Sequence, residues 1–81
     1  MLNYVELIGR CINVFSDRIE LLMKSGDIFG IYLLEDIDIN IIEVNSYTRI
    51  VGRVAFINDI PFPMIVADKV YQMKSEMEFT N

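Results

Sequence analysis

This chain of 81 residues contains few residues of the types that carry out catalysis. The sequence contains no histidine and a single cysteine, Cys11. Without histidine, the Ser-His and Cys-His pairs that activate a nucleophile cannot form. A lone cysteine also excludes an internal disulfide, and a Cys/His zinc site has no ligand set. We therefore expect no catalytic residue, no metal site and no cofactor, and we predict that the protein is not an enzyme.

One dense group of carboxylates remains, formed by Glu35, Asp36 and Asp38. A calcium loop would need further oxygen ligands at fixed spacing, with a glycine and a distal glutamate that this segment does not have. We interpret the group as a helix cap and a solvated surface.

Basic and aromatic side chains could support a second chemistry, the binding of nucleic acid. Single-stranded nucleic acid is held by aromatic rings that stack on the bases and by basic groups along the phosphate backbone. The candidate rings are Phe15, Tyr32, Phe56 and Phe62. The candidate cations are Arg10, Arg18, Lys24, Arg49 and Arg53. The alternative is that the rings are buried in the core and the basic residues only keep the protein soluble.

Alternation along the predicted strands places four of these cations on outward rows. In the second strand, apolar residues alternate with Arg18 and Lys24, which therefore share the outward face. In the fourth strand, Arg49 and Arg53 share the outward face in the same way. These two rows are the predicted basic footprint.

The overall charge opposes a nucleic-acid role. The chain has 7 basic and 12 acidic residues, a net charge of −5 and a pI of about 4.4. Because Lys and Arg contacts to phosphate dominate affinity for nucleic acid, any positive surface must be local.

Composition predicts one small domain with an apolar excess. Hydrophobic residues make up 53% of the chain, and the mean hydropathy is +0.36. No run approaches the ~20 apolar residues of a membrane span, and no basic-then-apolar leader opens the sequence. We expect a cytoplasmic protein that makes no membrane contact and buries part of its apolar surface against a partner or a second copy.

Period-two alternation and turn residues predict five strands in a domain spanning residues 1–75, followed by a frayed acidic tail at 76–81. The predicted strands cover residues 4–15, 18–24, 28–34, 47–57 and 64–73. Gly9 and Gly52 fall inside strands, which indicates a bend or a close approach of backbones.

The segment 35–45 fits two patterns. Its isoleucines alternate with polar residues as in a strand. Ile37, Ile41 and Val44 are also spaced as on one face of a helix, with Asp36 as a possible N-cap.

Four stretches of the chain resemble the bacterial single-stranded DNA-binding proteins. Asn3 to Arg10 (NYVELIGR) is similar to that family's opening strand, N-x-V-x-L-I-G-x. Gly26 to Leu33 (GDIFGIYL) is similar to its third strand. Tyr47 to Val54 (YTRIVGRV) and Met64 to Val70 (MIVADKV) resemble its closing strands, V-x-G-R-L and I-V-A-D-x-x. The resemblance covers roughly residues 3 to 73.

This resemblance implies an all-β OB-fold, a five-stranded Greek-key barrel that binds oligonucleotides across strands 2 and 3 and the neighbouring loops. OB-folds commonly place one short helix between strands 3 and 4, which favours a helix over residues 36–45. The chain differs from the family in having no tryptophan, a short strand 2–3 connection and a reduced strand 4–5 hairpin. These differences remove surface that the family uses to wrap DNA.

Two functions fit the sequence. The first is sequence-independent binding of single-stranded DNA in replication, recombination or the maintenance of a mobile element, with partner proteins from those processes. The second is a protein–protein interaction module that acts as an accessory subunit of a larger complex. The excess of acidic residues and the apolar outward rows favour this function. OB domains serve both functions.

The outward row of strand 1 predicts self-association. Ile8 and Ile12 lie on this row, and Val51 and Ala55 lie on the matching row of strand 4. A two-fold contact between strand 1 and its own copy would cover them, and the resembled family also associates through its first strand. We expect a homodimer or a higher homo-oligomer.

Overall fold

Five strands make up almost all of the regular structure in this computed structural model, which describes residues 4–73. The strands are β1 (Tyr4–Val14), β2 (Arg18–Leu22), β3 (Ile28–Leu33), β4 (Tyr47–Ala55) and β5 (Met64–Met73). All five predicted strands are confirmed, although β2 and β4 end earlier than expected. The described part contains no helix long and apolar enough to span a membrane. The predicted tail, residues 76–81, lies outside the described residues.

The five strands close into a ring. β1 pairs antiparallel with both β2 and β4, and the pairs β2–β3 and β4–β5 are also antiparallel. β3 and β5 pair in parallel, which gives the order β1-β2-β3-β5-β4 around the barrel. The predicted all-β, five-stranded barrel is therefore confirmed.

The core is built from the inward positions of the alternating strands. Its fully buried apolar residues are Cys11, Ile19, Leu21, Ile31, Ile50 and Ala67. Full burial of a leucine or isoleucine side chain stabilises a fold by about 1.5–3 kcal/mol. The same alternation turns Arg18, Arg49 and Arg53 outward, as predicted. The placement of Lys24 on the strand 2 row was wrong, because β2 ends at Leu22 and Lys24 lies in the exposed turn before β3.

Gly52 and Gly9 lie where two backbones approach closely, as their positions inside strands indicated. A Cβ atom on Gly52 would lie 2.1 Å from the carbonyl oxygen of Val66 on β5. A Cβ atom on Gly9 would lie 2.8 Å from the carbonyl oxygen of Leu22 on β2. Both glycines therefore serve the packing of neighbouring strands.

The helix predicted over residues 36–45 is wrong as a full helix, because the structure contains only a 3-10 turn at Ile39–Ile41. Its N-cap is Asp38, not Asp36, and the Asp38 carboxylate accepts a hydrogen bond of 3.0 Å from the Asn40 backbone N–H. The backbone is extended again at Ile42, which is buried in the core.

The apolar face expected for that helix is also absent. Ile37, Ile39 and Ile42 contact the core, whereas Ile41 and Val44 are exposed. Burial of isoleucines at irregular spacing has therefore overridden the helical spacing of Ile37, Ile41 and Val44.

Candidate nucleic-acid interface

One row of side chains crosses all five strands and is accessible except at the buried Val66, and we call it the Arg18 row. Following the strand register, its members are Arg18 (β2), Tyr32 (β3), Val66 (β5), Arg53 (β4) and Tyr4 (β1). Directly opposed residues place their side chains on the same face of a sheet. Neighbouring strands are about 4.8 Å apart, so the backbones of Arg18 and Arg53 are separated by about 14 Å along the sheet. The fold thus brings together Arg18, Tyr32 and Arg53, three of the predicted site residues.

Arg18 contacts two neighbours in the β1–β2 turn. Its guanidinium lies 4.4 Å from the centroid of the Phe15 ring, and its Nη1 lies 3.3 Å from Oδ1 of Asp17. The Phe15 backbone N–H donates to the Arg18 carbonyl at 2.8 Å, which fixes the turn. Phe15, a predicted stacking ring, is therefore placed against the arginine at one end of the row.

Arg53 lies on the far side of the row beside a carboxylate. Its Nη2 is 3.6 Å from Oδ1 of Asp68 on β5. The β4–β5 register passes from the Gly52–Ala67 pair to the Val51–Lys69 pair, so Asp68 has no partner on β4. This irregularity in β5 places the Asp68 carboxylate within reach of Arg53.

A second cationic group lies at the other end of β4. Arg10 is opposite Tyr47 in the register, its Nη2 donates to the Tyr47 hydroxyl at 3.3 Å, and its guanidinium is 5.5 Å from the ring centroid. Arg10 and Lys24 line one open cleft of about 260 Å³, together with Leu22 and Met23. Within residues 4–73, no carboxylate forms an ion pair with Arg10.

Arg49 is engaged by its neighbours on both sides. Its Nε donates to Oε2 of Glu6 on β1 at 2.6 Å, and its Nη2 forms an ion pair with the same oxygen. Its guanidinium lies 4.9 Å from the centroid of the Tyr71 ring on β5. This predicted cation is therefore neutralised within the barrel surface.

Comparison of the sequence with protein-family models gave no match, and comparison with curated proteins gave none either. Solved structures do match. The mitochondrial single-stranded DNA-binding protein Rim1 of S. cerevisiae superposes with a TM-score of 0.73 at 10% identity, covering 91% of this chain and 96% of Rim1. A chain of the S. pombe Stn1–Ten1 complex superposes with a TM-score of 0.63 at 9% identity, covering 93% of this chain and 61% of that one.

The fold is an OB-fold. In an OB barrel the outer face of strands 2 and 3 is the usual oligonucleotide surface. Here Arg18 and Tyr32 face each other at one end of that surface, and Glu20 lies opposite Gly30 at its centre. Glu20 accepts a hydrogen bond of 2.7 Å from the Asn13 side chain. The centre of the face is therefore acidic, and Arg18 is the one basic residue within β2 and β3.

Phe56 and Phe62 lie in the loop between β4 and β5 of the OB barrel. Their exposed fractions are 77% and 56%, so both rings are accessible to a ligand. A tight turn separates them, in which the Ile60 backbone N–H donates to the Ile57 carbonyl at 3.1 Å and Asp59 has a φ of 70°. Residues 56–63 contain no basic side chain, so this loop offers rings without a cation of its own.

The predicted self-association row is only partly exposed. Ile8 and Ile12 are half-buried, and Ile12 lies at an irregularity in the β1–β2 register. Val51 was expected to be exposed, but only 7% of its surface is accessible. It lies between Glu6 and Lys69 in the register, so it gives little apolar surface to a partner.

Cys11, the one thiol, is fully buried, and burial raises its pKa, which keeps it protonated at neutral pH. Among residues 4–73, no three Cys, Asp or Glu side chains are grouped closely enough to hold a metal ion.

Sequence reasoning missed three tyrosines, which are Tyr4, Tyr47 and Tyr71. Each lies beside one of the predicted arginines. Their outward orientation follows from alternation, but their arginine neighbours lie on other strands. Only the pairing of β1, β4 and β5 reveals these contacts.

Proposed function

We propose that this protein binds single-stranded DNA without sequence preference on the outer surface of its OB barrel. The observation that carries the proposal is the Arg18 row. One arginine lies on each side of Tyr32 and Val66, and the row ends at exposed Tyr4. Aromatic rings alternating with cations match the requirements of single-stranded DNA, because the rings stack on bases and the cations contact phosphates. The structural likeness to Rim1 supports the proposal. We place this activity in replication, recombination or mobile-element maintenance in the cytoplasm.

The test is fluorescence anisotropy with labelled oligo-dT over a range of salt concentrations. The logarithm of the binding constant should fall linearly with the logarithm of salt concentration, with a slope of about −0.7 for each phosphate contacted. Oligo-dA should also bind, with at most a modest difference in affinity, because every base offers a face for stacking.

Charge reversal locates the surface. The double variant Arg18→Glu/Arg53→Glu should abolish oligo-dT binding while the thermal unfolding midpoint stays nearly unchanged, because exposed ion pairs contribute little to stability. Lys69→Glu is the matched control for Arg53→Glu, because Lys69 is an exposed cation outside the Arg18 row. Equal losses for these two single variants would contradict the assignment of the row.

The second candidate function is a protein–protein interaction module. It is favoured by the ion pairs of Arg18, Arg49 and Arg53, because their carboxylate partners offset the positive charge of the predicted basic footprint. Exposed Phe56 and Phe62 in a loop without a cation suit a protein contact equally well. If the wild-type protein does not bind oligo-dT even at ~20 mM salt, where phosphate attraction is strong, this function replaces the first.

We also propose a homodimer, or a higher homo-oligomer, formed through β1. Residues 4–10 of β1 pair with β4, whereas pairing with β2 begins only at Arg10. Within the described residues, the β2-side edge of residues 4–9 therefore has no strand partner, and an unpaired edge readily accepts another strand. A two-fold axis at this edge would pair β1 with its own copy beside Ile8.

A further inference from the structure

The arginines at both sides of the Arg18 row carry carboxylate partners from within the same chain. Asp17 lies 3.3 Å from Arg18, and Asp68 lies 3.6 Å from Arg53. In each pair, one carboxylate oxygen contacts one terminal guanidinium nitrogen. A guanidinium binds carboxylate and phosphate with the same fork of donors. Each carboxylate therefore occupies part of the guanidinium that would otherwise bind a DNA phosphate.

These two ion pairs contribute little to the stability of the fold. The side chains of Arg18 and Asp17 are 38% and 59% exposed, and those of Arg53 and Asp68 are 52% and 36% exposed. Pairs this exposed contribute little to stability and open readily in water. The turn that holds Asp17 is fixed through its backbone, because the Leu33 N–H donates to the Asp17 carbonyl oxygen at 3.0 Å. The Asp17 backbone therefore does not depend on its carboxylate, and neither ion pair contributes much to the stability of the fold.

We propose that Asp17 and Asp68 are internal competitors of phosphate that set the affinity of the Arg18 row for single-stranded DNA. Binding exchanges each carboxylate contact for a phosphate contact at the same arginine. The carboxylate stays within a few ångströms of the bound phosphate and repels it. Affinity is consequently weaker than two free arginines would give, and the protein releases DNA more readily. This inference rests on the proposed function.

The expected effect follows from Coulomb's law. Two unit charges about 4 Å apart in water interact by about 1 kcal/mol, which corresponds to about a fivefold change in affinity. Removing one carboxylate should therefore tighten oligo-dT binding about fivefold, and removing both should tighten it about 25-fold. The salt slope should also become steeper, by up to ~0.7 for each phosphate newly engaged.

The test compares two double variants that change the net charge equally. Asp17→Asn/Asp68→Asn removes both competitors. Asp36→Asn/Asp59→Asn removes two exposed carboxylates for which residues 4–73 supply no ion pair. Asparagine also tolerates the positive φ at residue 59. Both variants and the wild-type protein are titrated with labelled oligo-dT at ~20 mM and ~150 mM salt, and circular dichroism verifies that each is folded. Asp17→Ser/Asp68→Ser replaces the first variant if it does not fold.

The outcomes separate the inference from the proposed function. Tightening of about 25-fold in the first variant, with less than about threefold in the second, supports the inference. Equal tightening in the two variants overturns the inference and leaves the proposed function intact. If none of the three proteins binds, the proposed function fails and the inference fails with it.

Discussion

The close approach of β5 to Gly52 gives a sharp prediction for Gly52→Ala. A Cβ atom at this position would lie 2.1 Å from the Val66 carbonyl oxygen and 2.9 Å from both the Val66 carbonyl carbon and the Ala67 Cα. All three atoms belong to the backbone of β5, so no side chain can rotate away to make room. The added methyl group must push β4 and β5 apart where the register is already irregular.

The magnitude follows from the nature of the clash. Overpacking of a well-packed site costs about 1–3 kcal/mol, and a clash with fixed backbone belongs at the upper end. We expect Gly52→Ala to lower the free energy of unfolding by about 2–3 kcal/mol. For a domain of 60–100 residues this corresponds to a fall in Tm of roughly 8–24 °C.

Gly30→Ala is the matched control. Gly30 also lies inside a strand, but a Cβ atom there would meet nothing within 4 Å. The same chemical change should therefore be neutral or stabilise by about 0.4–1 kcal/mol through the unfolded state. Urea unfolding followed by circular dichroism suits both variants, since the chain has no tryptophan.

If the two variants unfold within about 0.5 kcal/mol of each other, the close β4–β5 contact does not exist as described. Gly52→Ala should also weaken oligo-dT binding under conditions where it remains folded. The reason is that Val66, whose carbonyl oxygen obstructs the methyl group, lies between Tyr32 and Arg53 in the Arg18 row.

Three further predictions address the thiol, the strand edge and the exposed rings. Cys11 should react with Ellman's reagent at pH 8 only as fast as the protein unfolds, since it is fully buried and its pKa is raised; rapid reaction of the folded protein would refute the closed core. Sedimentation equilibrium at ~100 μM should show a dimer or a larger species, and Ile8→Glu should dissociate it because the new carboxylate would be buried in the contact. A wild-type protein that sediments only as a 9.4 kDa monomer would rule out the β1 contact. Phe56→Ala and Phe62→Ala should each weaken oligo-dT binding by about 1–3 kcal/mol while leaving Tm unchanged, as expected of exposed stacking rings; undiminished affinity would instead assign the loop to a protein partner.

The sequence by itself determined the five strands and the inward or outward direction of their core residues and arginines, although Val51, expected outside, is buried. Alternation with a period of two residues is a local property, so Ile19 and Leu21 could be placed inside and Arg18 outside without knowing the neighbouring strand. The absence of histidine likewise excluded the common nucleophile pairs before any fold was known. Gly9 and Gly52 inside strands marked close backbone contacts, because few other residues tolerate them.

Local pattern failed where two local signals competed. The segment around Ile39–Ile41 carried both a strand-like alternation and a helix-like spacing. The outcome depended on which isoleucines could reach the core, and Ile37, Ile39 and Ile42 do so from an irregular backbone with a single 3-10 turn. No feature of the segment alone could decide this, since the core belongs to the other strands.

Only the tertiary structure decided which charges meet. Glu6 and Arg49 are separated by 43 residues, and Arg18, Tyr32 and Arg53 come from three strands. These neighbours follow from the closure of the barrel and from the register irregularity at Asp68. The sequence therefore established a set of outward arginines, and only the fold brought Glu6 to Arg49 and Asp68 to Arg53. Attraction between exposed charges is largely screened beyond about 8–10 Å in physiological salt, so the charge of a binding face depends on spatial neighbours that lie on other strands.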